Sequence, residues 1–121
     1  MILTLHTETT IDSAHKLENY DGICSRIHGH TWKLEFWFKG DSQYQDEVGI
    51  MVDFGIVKQI KEILDHRYIN DVIGMNPTAE NLTMWLVGTL KNMIKKPGIQ
   101  VKVRVYETAV DKLTYCEGGD F

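Results

Sequence analysis

An alternation of apolar and polar residues from His28 to Phe38 constrains the fold more than any other feature of this sequence. Successive side chains of a β-strand point to opposite faces of the sheet, so residues of one parity share a face. Here one parity is largely apolar or aromatic and the other is largely polar, which predicts a half-buried strand. The first face carries His28, His30, Trp32, Leu34, Phe36 and Phe38, and the second carries Thr31, Lys33, Glu35 and Lys39.

Four further segments have the composition of strands. Residues 2–17 contain scattered β-forming residues, which predicts one long strand before the alternating segment. Valines alternate with polar residues over 101–106, and residues 112–116 have the composition of a hairpin partner for that strand. Residues 50–52 form a short apolar run, which predicts one more short strand.

Two helices are predicted between these strands. Asp53 is a credible N-cap for the first, because apolar residues recur at helical spacing from there to Leu64. Thr78 can cap the second, whose apolar stripe continues to Ile94 before a Lys-Lys-Pro-Gly run at 95–98 ends it. Strands, then helices, then strands indicate an α+β fold, in which helices back an antiparallel sheet.

Length and charge narrow the class of protein. A chain of 121 residues predicts one domain, residues 1–121, and a net charge of −4 has the wrong sign for a dedicated nucleic-acid binder. No run approaches the roughly 18 apolar residues that a membrane span requires, and the first residues lack the pattern of a signal peptide. Cys24 and Cys116 form no C-x-x-C pair. We therefore expect a cytoplasmic protein that binds neither nucleic acid nor membrane.

The sequence His28-Gly29-His30 has the spacing of a metal site. Two residues that are two apart on a strand point the same way, so both imidazoles can converge on one ion. His15 is the natural third ligand, because it lies on the preceding predicted strand. Three neutral imidazoles with an open fourth position are typical of catalytic zinc. The alternative interpretation is a pair of ordinary polar surface histidines.

Other groups are suited to proton transfer or ligand binding. Cys24 stands four residues before His28; a nearby dication would favour its thiolate, although a lone cysteine is more often a small buried hydrophobe. The Asp65-His66 pair ends the first helix, where a carboxylate can orient a catalytic histidine or the pair can simply cap the helix. Glu107 ends the valine-rich strand and can either grip a guanidine-like N–H pair or stay solvated.

Taken together, these residues resemble the family of 6-pyruvoyl-tetrahydropterin and 6-carboxy-tetrahydropterin synthases. The resemblance runs from about Thr10 to Gly118. It is carried by several motifs in order: S-A-H-K-L at 13–17, C-x-x-x-H-G-H at 24–30, G-I-M-V-D-F at 49–54, L-D-H-R-Y-I-N-D at 64–71, N-P-T-A-E-N at 76–81 and V-Y-E-T at 105–108.

The resemblance implies a fold, an assembly and a set of roles. The fold is a four-stranded antiparallel sheet with two helices on one face, of the tunnelling-fold type. The assembly is a homo-oligomer, trimer or hexamer, whose sheets join between subunits and whose active sites are shared. The implied residues are His15, His28 and His30 as ligands of Zn2+, Cys24 as the catalytic base, Asp65 with His66 as a charge relay from an adjoining subunit, Glu107 as the anchor of the pterin ring, and Thr78 near the same pocket.

The family substrate is a small-molecule pterin, 7,8-dihydroneopterin triphosphate. One family activity keeps the three-carbon side chain as 6-pyruvoyl-tetrahydropterin; the other releases acetaldehyde and the 6-carboxy product, an intermediate toward 7-deazaguanine bases such as queuosine. The gap between Cys24 and His28 resembles the bacterial 6-carboxy branch. We therefore expect a zinc-dependent lyase, 6-carboxy-tetrahydropterin synthase. The 6-pyruvoyl reaction is the alternative, because residues 103–108 look as much like that branch.

Two interpretations lie outside this class. Gly22, His28, His30 and Glu35 fit part of the pattern of a cupin-like metal-binding module, although Glu35 has the opposite strand parity from His30. A non-catalytic, zinc-stabilised domain is the other interpretation. An active thiol at Cys24 would distinguish the enzyme from it.

Overall fold

The strands form one antiparallel sheet in the order β1-β2-β3-β4. The computed structural model describes residues 1–110 and 114–121. β1 and β2 stay in register along their whole length, from Ile2 opposite Asp41 to His15 opposite His28. This sheet, backed by helices, confirms the expected α+β architecture. The strands are β1 (Ile2–His15), β2 (His28–Asp41), β3 (Gln100–Tyr106) and β4 (Cys116–Gly119).

The helices lie on the apolar face of the sheet. They are α1 (Gly55–Leu64), α2 (Ile69–Ile73) and α3 (Ala79–Ile94). α1 contacts β1, while α3 contacts β3 and β4. The apolar parity of β2 is buried as predicted, and each such side chain contributes about 1.5–3 kcal/mol. The fully buried members are Trp32, Leu34, Phe36 and Phe38. In the part of the chain that the structure describes, no helix is long and apolar enough to cross a membrane.

The second long helix begins after Thr78, as the sequence indicates, whereas Phe54 rather than Asp53 is the residue that directly precedes the first. Asp53 Oδ1 accepts the N–H of Gly55 at 2.8 Å, and Thr78 Oγ1 accepts the N–H of Asn81 at 3.1 Å. These bonds satisfy N–H groups that have no partner within a helix. The prediction of Thr78 as a helix cap is therefore confirmed.

The prediction of a strand at residues 50–52 was wrong. Met51 and Val52 are buried, but they belong to a bend that leads into α1. The carbonyl of Met51 accepts a hydrogen bond from Lys96 Nζ at 2.9 Å. The apolar run at 50–52 thus covers the core without joining the sheet. Its Met51 carbonyl pairs with the Lys96 side chain instead of a neighbouring strand.

Two other elements differ from the prediction. The last strand begins at Cys116, which pairs with Val105, whereas residues 114 and 115 precede the ladder. Residues 112 and 113 of the predicted strand lie outside the described residues. The short helix α2 was not predicted, because a segment with only Ile69 and Ile73 buried is too short to show helical periodicity.

The opposite face of the sheet carries a polar network around Glu35. This side chain is only 8% exposed. Its carboxylate accepts a hydrogen bond from the Tyr106 hydroxyl and pairs with His6 Nε2 at 2.9 Å and Lys33 Nζ at 3.5 Å. Burial alone would raise the pKa of Glu35, but the bonds from Tyr106 and His6 outweigh it and hold that pKa below its usual value.

Candidate active site

The register of β1 and β2 brings three histidines together. His15 stands directly opposite His28, and His30 is two residues further along β2, opposite Ser13. All three side chains therefore point to the helix-bearing face. Their ring centroids are 4.5 to 5.1 Å apart, and one ring nitrogen of each lies within 4.8 Å of the others. The structure thus brings together the three histidines that the sequence spacing groups.

Two backbone carbonyls orient the rings. His15 Nδ1 donates to the carbonyl of Pro77 at 2.8 Å, and His28 Nδ1 donates to that of Arg26 at 2.7 Å. A carbonyl only accepts hydrogen bonds, so each ring carries its proton on Nδ1 when it is neutral. The lone pair of Nε2 is then free to bind a metal.

Within residues 1–110 and 114–121, two of the remaining ring nitrogens lack hydrogen-bond partners. Nε2 of His15 and Nε2 of His30 are buried and have no hydrogen-bond partner. Buried polar atoms are rarely left unpaired, and a metal ion would satisfy both at once. The donor set of three neutral imidazoles thus fits a divalent transition metal with room for a further ligand.

Burial favours the neutral form of two of the three histidines. Burial lowers the pKa of His15 and of His30, so both rings favour the neutral form that binds metal. The negative charge of Glu107 acts on both rings in the opposite direction. The field of the Glu107 carboxylate therefore reaches two of the three histidines, His15 and His30.

Glu107 follows the last residue of β3 and lines a cavity of about 420 Å³. The cavity lies between the start of α3 and the start of β4. Its other lining residues are Ala79, Glu80, Val105, Thr108, Thr114, Tyr115 and Cys116. Thr78 immediately precedes this wall, but its hydroxyl is already engaged as the α3 cap. An exposed carboxylate that lines a cavity of this size can bind the polar edge of a flat ring.

Cys24 lies in the loop that joins the two ligand-bearing strands. It belongs to a single 3₁₀ turn, Ile23–Ser25, and its side chain is half-buried. The carbonyl of Cys24 accepts the N–H of Leu17 at 2.8 Å, and both cysteines of the chain are free thiols. The loop thus carries the thiol between His15 and His28.

Asp65 and His66 form a fixed pair at the edge of β1. Asp65 Oδ1 accepts the N–H of Asp12 at 2.8 Å and lies 3.1 Å from His66 Nδ1, while the N–H of His66 donates to the carbonyl of Asp12 at 2.8 Å. The N–H of Asp12 is the main reason that the pKa of Asp65 lies below its usual value. An ionised carboxylate therefore orients an imidazole that is 77% exposed.

The backbone of His66 is strained. Its φ of 56° is left-handed, which costs a non-glycine residue about 1–2 kcal/mol. The bonds to Asp12 hold that conformation. Among the described residues, neither Asp65 nor His66 is hydrogen-bonded to Cys24. Within one chain, the structure therefore does not join the thiol to the Asp65–His66 pair.

The sequence indicated neither the carbonyl of Pro77 that orients His15 nor the network around Glu35. Pro77 is 62 positions from His15, so no local spacing reveals their contact. His6, Glu8 and Glu35 form a second group with metal-ligand geometry. In that group Lys33 Nζ lies 3.3 Å from Glu8 and 3.5 Å from Glu35, so an ammonium already pairs with both carboxylates.

Known proteins similar to this chain carry related names. A family model described as 6-pyruvoyl tetrahydropterin synthase matches residues 4–118. A protein of Synechocystis named 6-carboxy-5,6,7,8-tetrahydropterin synthase is 30% identical over 119 residues, which cover 92% of this chain and 91% of the relative. A protein of Haemophilus influenzae with the same name is 39% identical over 70 residues, which cover 53% of this chain and 50% of the relative.

Solved structures share the fold at low sequence identity. The 6-pyruvoyl tetrahydropterin synthase of Caenorhabditis elegans superposes with a TM-score of 0.75 at 20% identity, covering 100% of this chain and 97% of the other. A 6-pyruvoyltetrahydropterin synthase mutant of Plasmodium vivax gives a TM-score of 0.73 at 17% identity, covering 99% and 98%. The likeness extends over the whole sheet and its helices. This architecture differs from the double-sheet jelly roll of a cupin.

Proposed function

The chain belongs to the 6-pyruvoyl tetrahydropterin synthase family, and we propose that it converts 7,8-dihydroneopterin triphosphate and water to 6-carboxy-5,6,7,8-tetrahydropterin with release of acetaldehyde and triphosphate. The observation that carries the proposal is the cluster of His15, His28 and His30 beside Glu107. The relative from Synechocystis, which bears the 6-carboxy name and matches over nearly its whole length, supports this branch. The product would serve 7-deazaguanine synthesis in the cytoplasm, whose reducing conditions suit two free cysteines.

We assign the metal site to zinc. Three neutral imidazoles with an open position are the usual ligand set of a catalytic zinc, and His15, His28 and His30 would hold it. When bound, zinc supplies Lewis-acid polarisation of the oxygens on the substrate's side chain.

Cys24 is the proposed base. Its half-buried thiol lies in the loop between the ligand-bearing strands, and as a thiolate it accepts a proton from the carbon side chain of the substrate. Asp65 and His66 are the proposed relay. The ionised Asp65 holds His66 Nδ1–H, so His66 Nε2 is the atom that exchanges a proton with its partner.

Glu107 is the proposed anchor of the pterin ring. Its two carboxylate oxygens match the amino and N3 hydrogens of an aminopyrimidine edge, and the cavity that it lines has room for a bicyclic ring. Thr78, at the start of α3, supports the wall of the same cavity.

We also propose a trimer or hexamer with shared active sites. β1 and β4 are the edges of the sheet, and open edges are usually paired or protected. His66 is exposed next to the β1 edge, which leaves its ring accessible to the Cys24 thiol of an adjoining subunit. The mass from light scattering should equal three or six chains. A monodisperse monomer with full activity would contradict shared sites.

The decisive assay follows acetaldehyde and triphosphate together. The purified protein is incubated with 7,8-dihydroneopterin triphosphate, with the His28→Ala variant as control, and the pterin products are separated by chromatography. Acetaldehyde and triphosphate in equal amounts support the 6-carboxy reaction. Triphosphate without acetaldehyde assigns the 6-pyruvoyl reaction instead, which the sequence of residues 103–108 keeps as the alternative. Zinc binding with neither product would leave a non-catalytic zinc domain.

A further inference from the structure

Two asparagine side chains hold the loop that joins the ligand-bearing strands. Residues 16–27 connect β1 to β2. Asn70 lies in α2 and Asn76 follows that helix. The amide of Asn70 forms two hydrogen bonds with the backbone of Lys16, and the amide of Asn76 forms two with the backbone of Glu18.

The geometry of these bonds copies a β-ladder. Asn70 Oδ1 accepts the Lys16 N–H at 3.0 Å, and its Nδ2 donates to the Lys16 carbonyl at 2.9 Å. For Asn76 and Glu18 the corresponding distances are 2.8 and 3.2 Å. A primary amide has the donor and acceptor of a peptide group, so each pair reproduces the two-bond ring of directly opposed strand residues. Residues 16 and 18 are also two positions apart, which is the spacing of strand residues whose backbone groups bond to the same neighbouring strand.

The residue between the two clamped positions is bonded to the candidate base. Leu17 donates its N–H to the carbonyl of Cys24 at 2.8 Å. In the described ranges, the four asparagine bonds are the hydrogen bonds that tie the backbone of Lys16 and Glu18 to the rest of the chain. The position of Cys24 therefore depends on Asn70 and Asn76.

Asn76 is also linked to the metal site. Its neighbour Pro77 provides the carbonyl that orients His15. The carbonyl of Asn76 itself accepts the N–H of Thr78 and the Nδ2 of Asn81, both at 2.9 Å. One turn thus holds both the loop and the Pro77 carbonyl that accepts from His15.

We propose that Asn70 and Asn76 are positioning residues, which set Cys24 against the histidine cluster by clamping residues 16–18, and that Asn76 also fixes the ring of His15 through Pro77. The role of Cys24 in this inference rests on the proposed function. The link from Asn76 to the metal does not depend on turnover.

The test compares Asn70→Asp and Asn76→Asp with a matched control. Each substitution keeps the accepting oxygen but places a second oxygen against a backbone carbonyl, so the ring of two bonds is broken. Asn19→Asp introduces the same charge in the same loop at an exposed residue that is in no clamp. Three quantities are measured: amide hydrogen exchange of peptides covering 16–27, zinc affinity by chelator competition, and kcat with KM. Circular dichroism verifies the fold; if an Asp variant fails to fold, Asn→Ser replaces it.

We expect the two variants to differ from each other in zinc affinity. Asn70→Asp should speed exchange in the loop about tenfold and lower kcat by about 10- to 100-fold, because a small misplacement of a reacting group costs this much. Its KM should change less than about threefold and its zinc affinity should equal that of the control. Asn76→Asp should show the same loss of kcat and weaken zinc binding by about 10- to 100-fold, the usual effect of losing the hydrogen-bond partner of a metal-binding histidine.

Two results would overturn the inference. Faster loop exchange in Asn70→Asp with the kcat of the control would show that loop order does not position Cys24. Equal zinc affinity in Asn76→Asp and Asn19→Asp would remove the link through Pro77. Absence of turnover in the unaltered protein would contradict the proposed function instead, and the exchange and zinc measurements would still decide whether the asparagines hold the loop and the metal site.

Discussion

His15 and His28 lie directly opposite each other on neighbouring antiparallel strands, with their ring centroids 4.5 Å apart. Each ring donates Nδ1–H to a backbone carbonyl, that of Pro77 for His15 and that of Arg26 for His28. Strand register therefore sets the distance between the ligands, and the two carbonyls set the nitrogen that each presents. The site is preorganised for a metal by the backbone rather than by other side chains.

The first prediction is one zinc per chain in protein purified without added metal. Substituting His28 and His30 together by Ala should remove it, because His15 alone is a weak site. Elemental analysis by mass spectrometry measures the metal, and His66→Ala is the matched control, which should keep full occupancy. Full occupancy in the double variant would contradict the histidine site.

The strand pattern was predictable from local sequence because a period of two residues decides which side chains are buried. The alternation in β2 gave both the buried face and the side to which His28 and His30 point. The apolar run at 50–52 was wrongly predicted as a strand, because three apolar residues have the same sequence pattern in a bend and in a strand.

Contacts across the chain were beyond local reasoning. The clamp of Asn70 on Lys16 joins residues 54 positions apart, and the bond from His15 to Pro77 joins residues 62 apart. Asparagine before proline, as at Asn76, predicts only a turn. The tertiary structure is needed to show which backbone groups such a turn meets.

Cys24 gives the second prediction. Cys24→Ala should keep zinc and fold but lower kcat by about 100-fold or more, the usual contribution of a general base. Because the thiolate is the reactive form, iodoacetamide should modify Cys24 faster than Cys116, as followed by peptide mass spectrometry. Equal rates for the two cysteines, with unchanged turnover after modification, would return Cys24 to a structural role.

The third prediction concerns stability in acid. The pKa of Glu35 is lower in the folded chain than its ordinary 4.5, so the native state binds fewer protons than the unfolded state near that pH. The stabilisation is complete above pH 4.5 and is lost as pH falls through the lower, folded value. Glu35→Gln should lower the free energy of unfolding at pH 7 by about 1–3 kcal/mol and weaken its dependence on acid.

Urea unfolding at a series of pH values measures this effect. Glu62→Gln, at an exposed position of α1, is the matched control and should follow the unaltered protein. If the free energy of unfolding falls in acid by the same amount in Glu35→Gln and the unaltered protein, the bonds from Tyr106 and His6 do not stabilise the carboxylate.

The last prediction tests Glu107 as the anchor of the pterin ring. Two parallel charge-assisted bonds from an aminopyrimidine edge need both carboxylate oxygens, and glutamine supplies neither the charge nor the second acceptor. Glu107→Gln should therefore weaken the binding of a pterin inhibitor by about 2–4 kcal/mol, or about 30- to 700-fold, while zinc content and oligomeric mass stay unchanged. Glu80 lines the same cavity from α3, so Glu80→Gln is a control with the same loss of charge and a small expected effect. Calorimetric titration of all three proteins with one pterin measures the difference. Equal affinities for Glu107→Gln and the unaltered protein would move the ring away from the end of β3, and a loss in Glu80→Gln alone would place its anchor on α3.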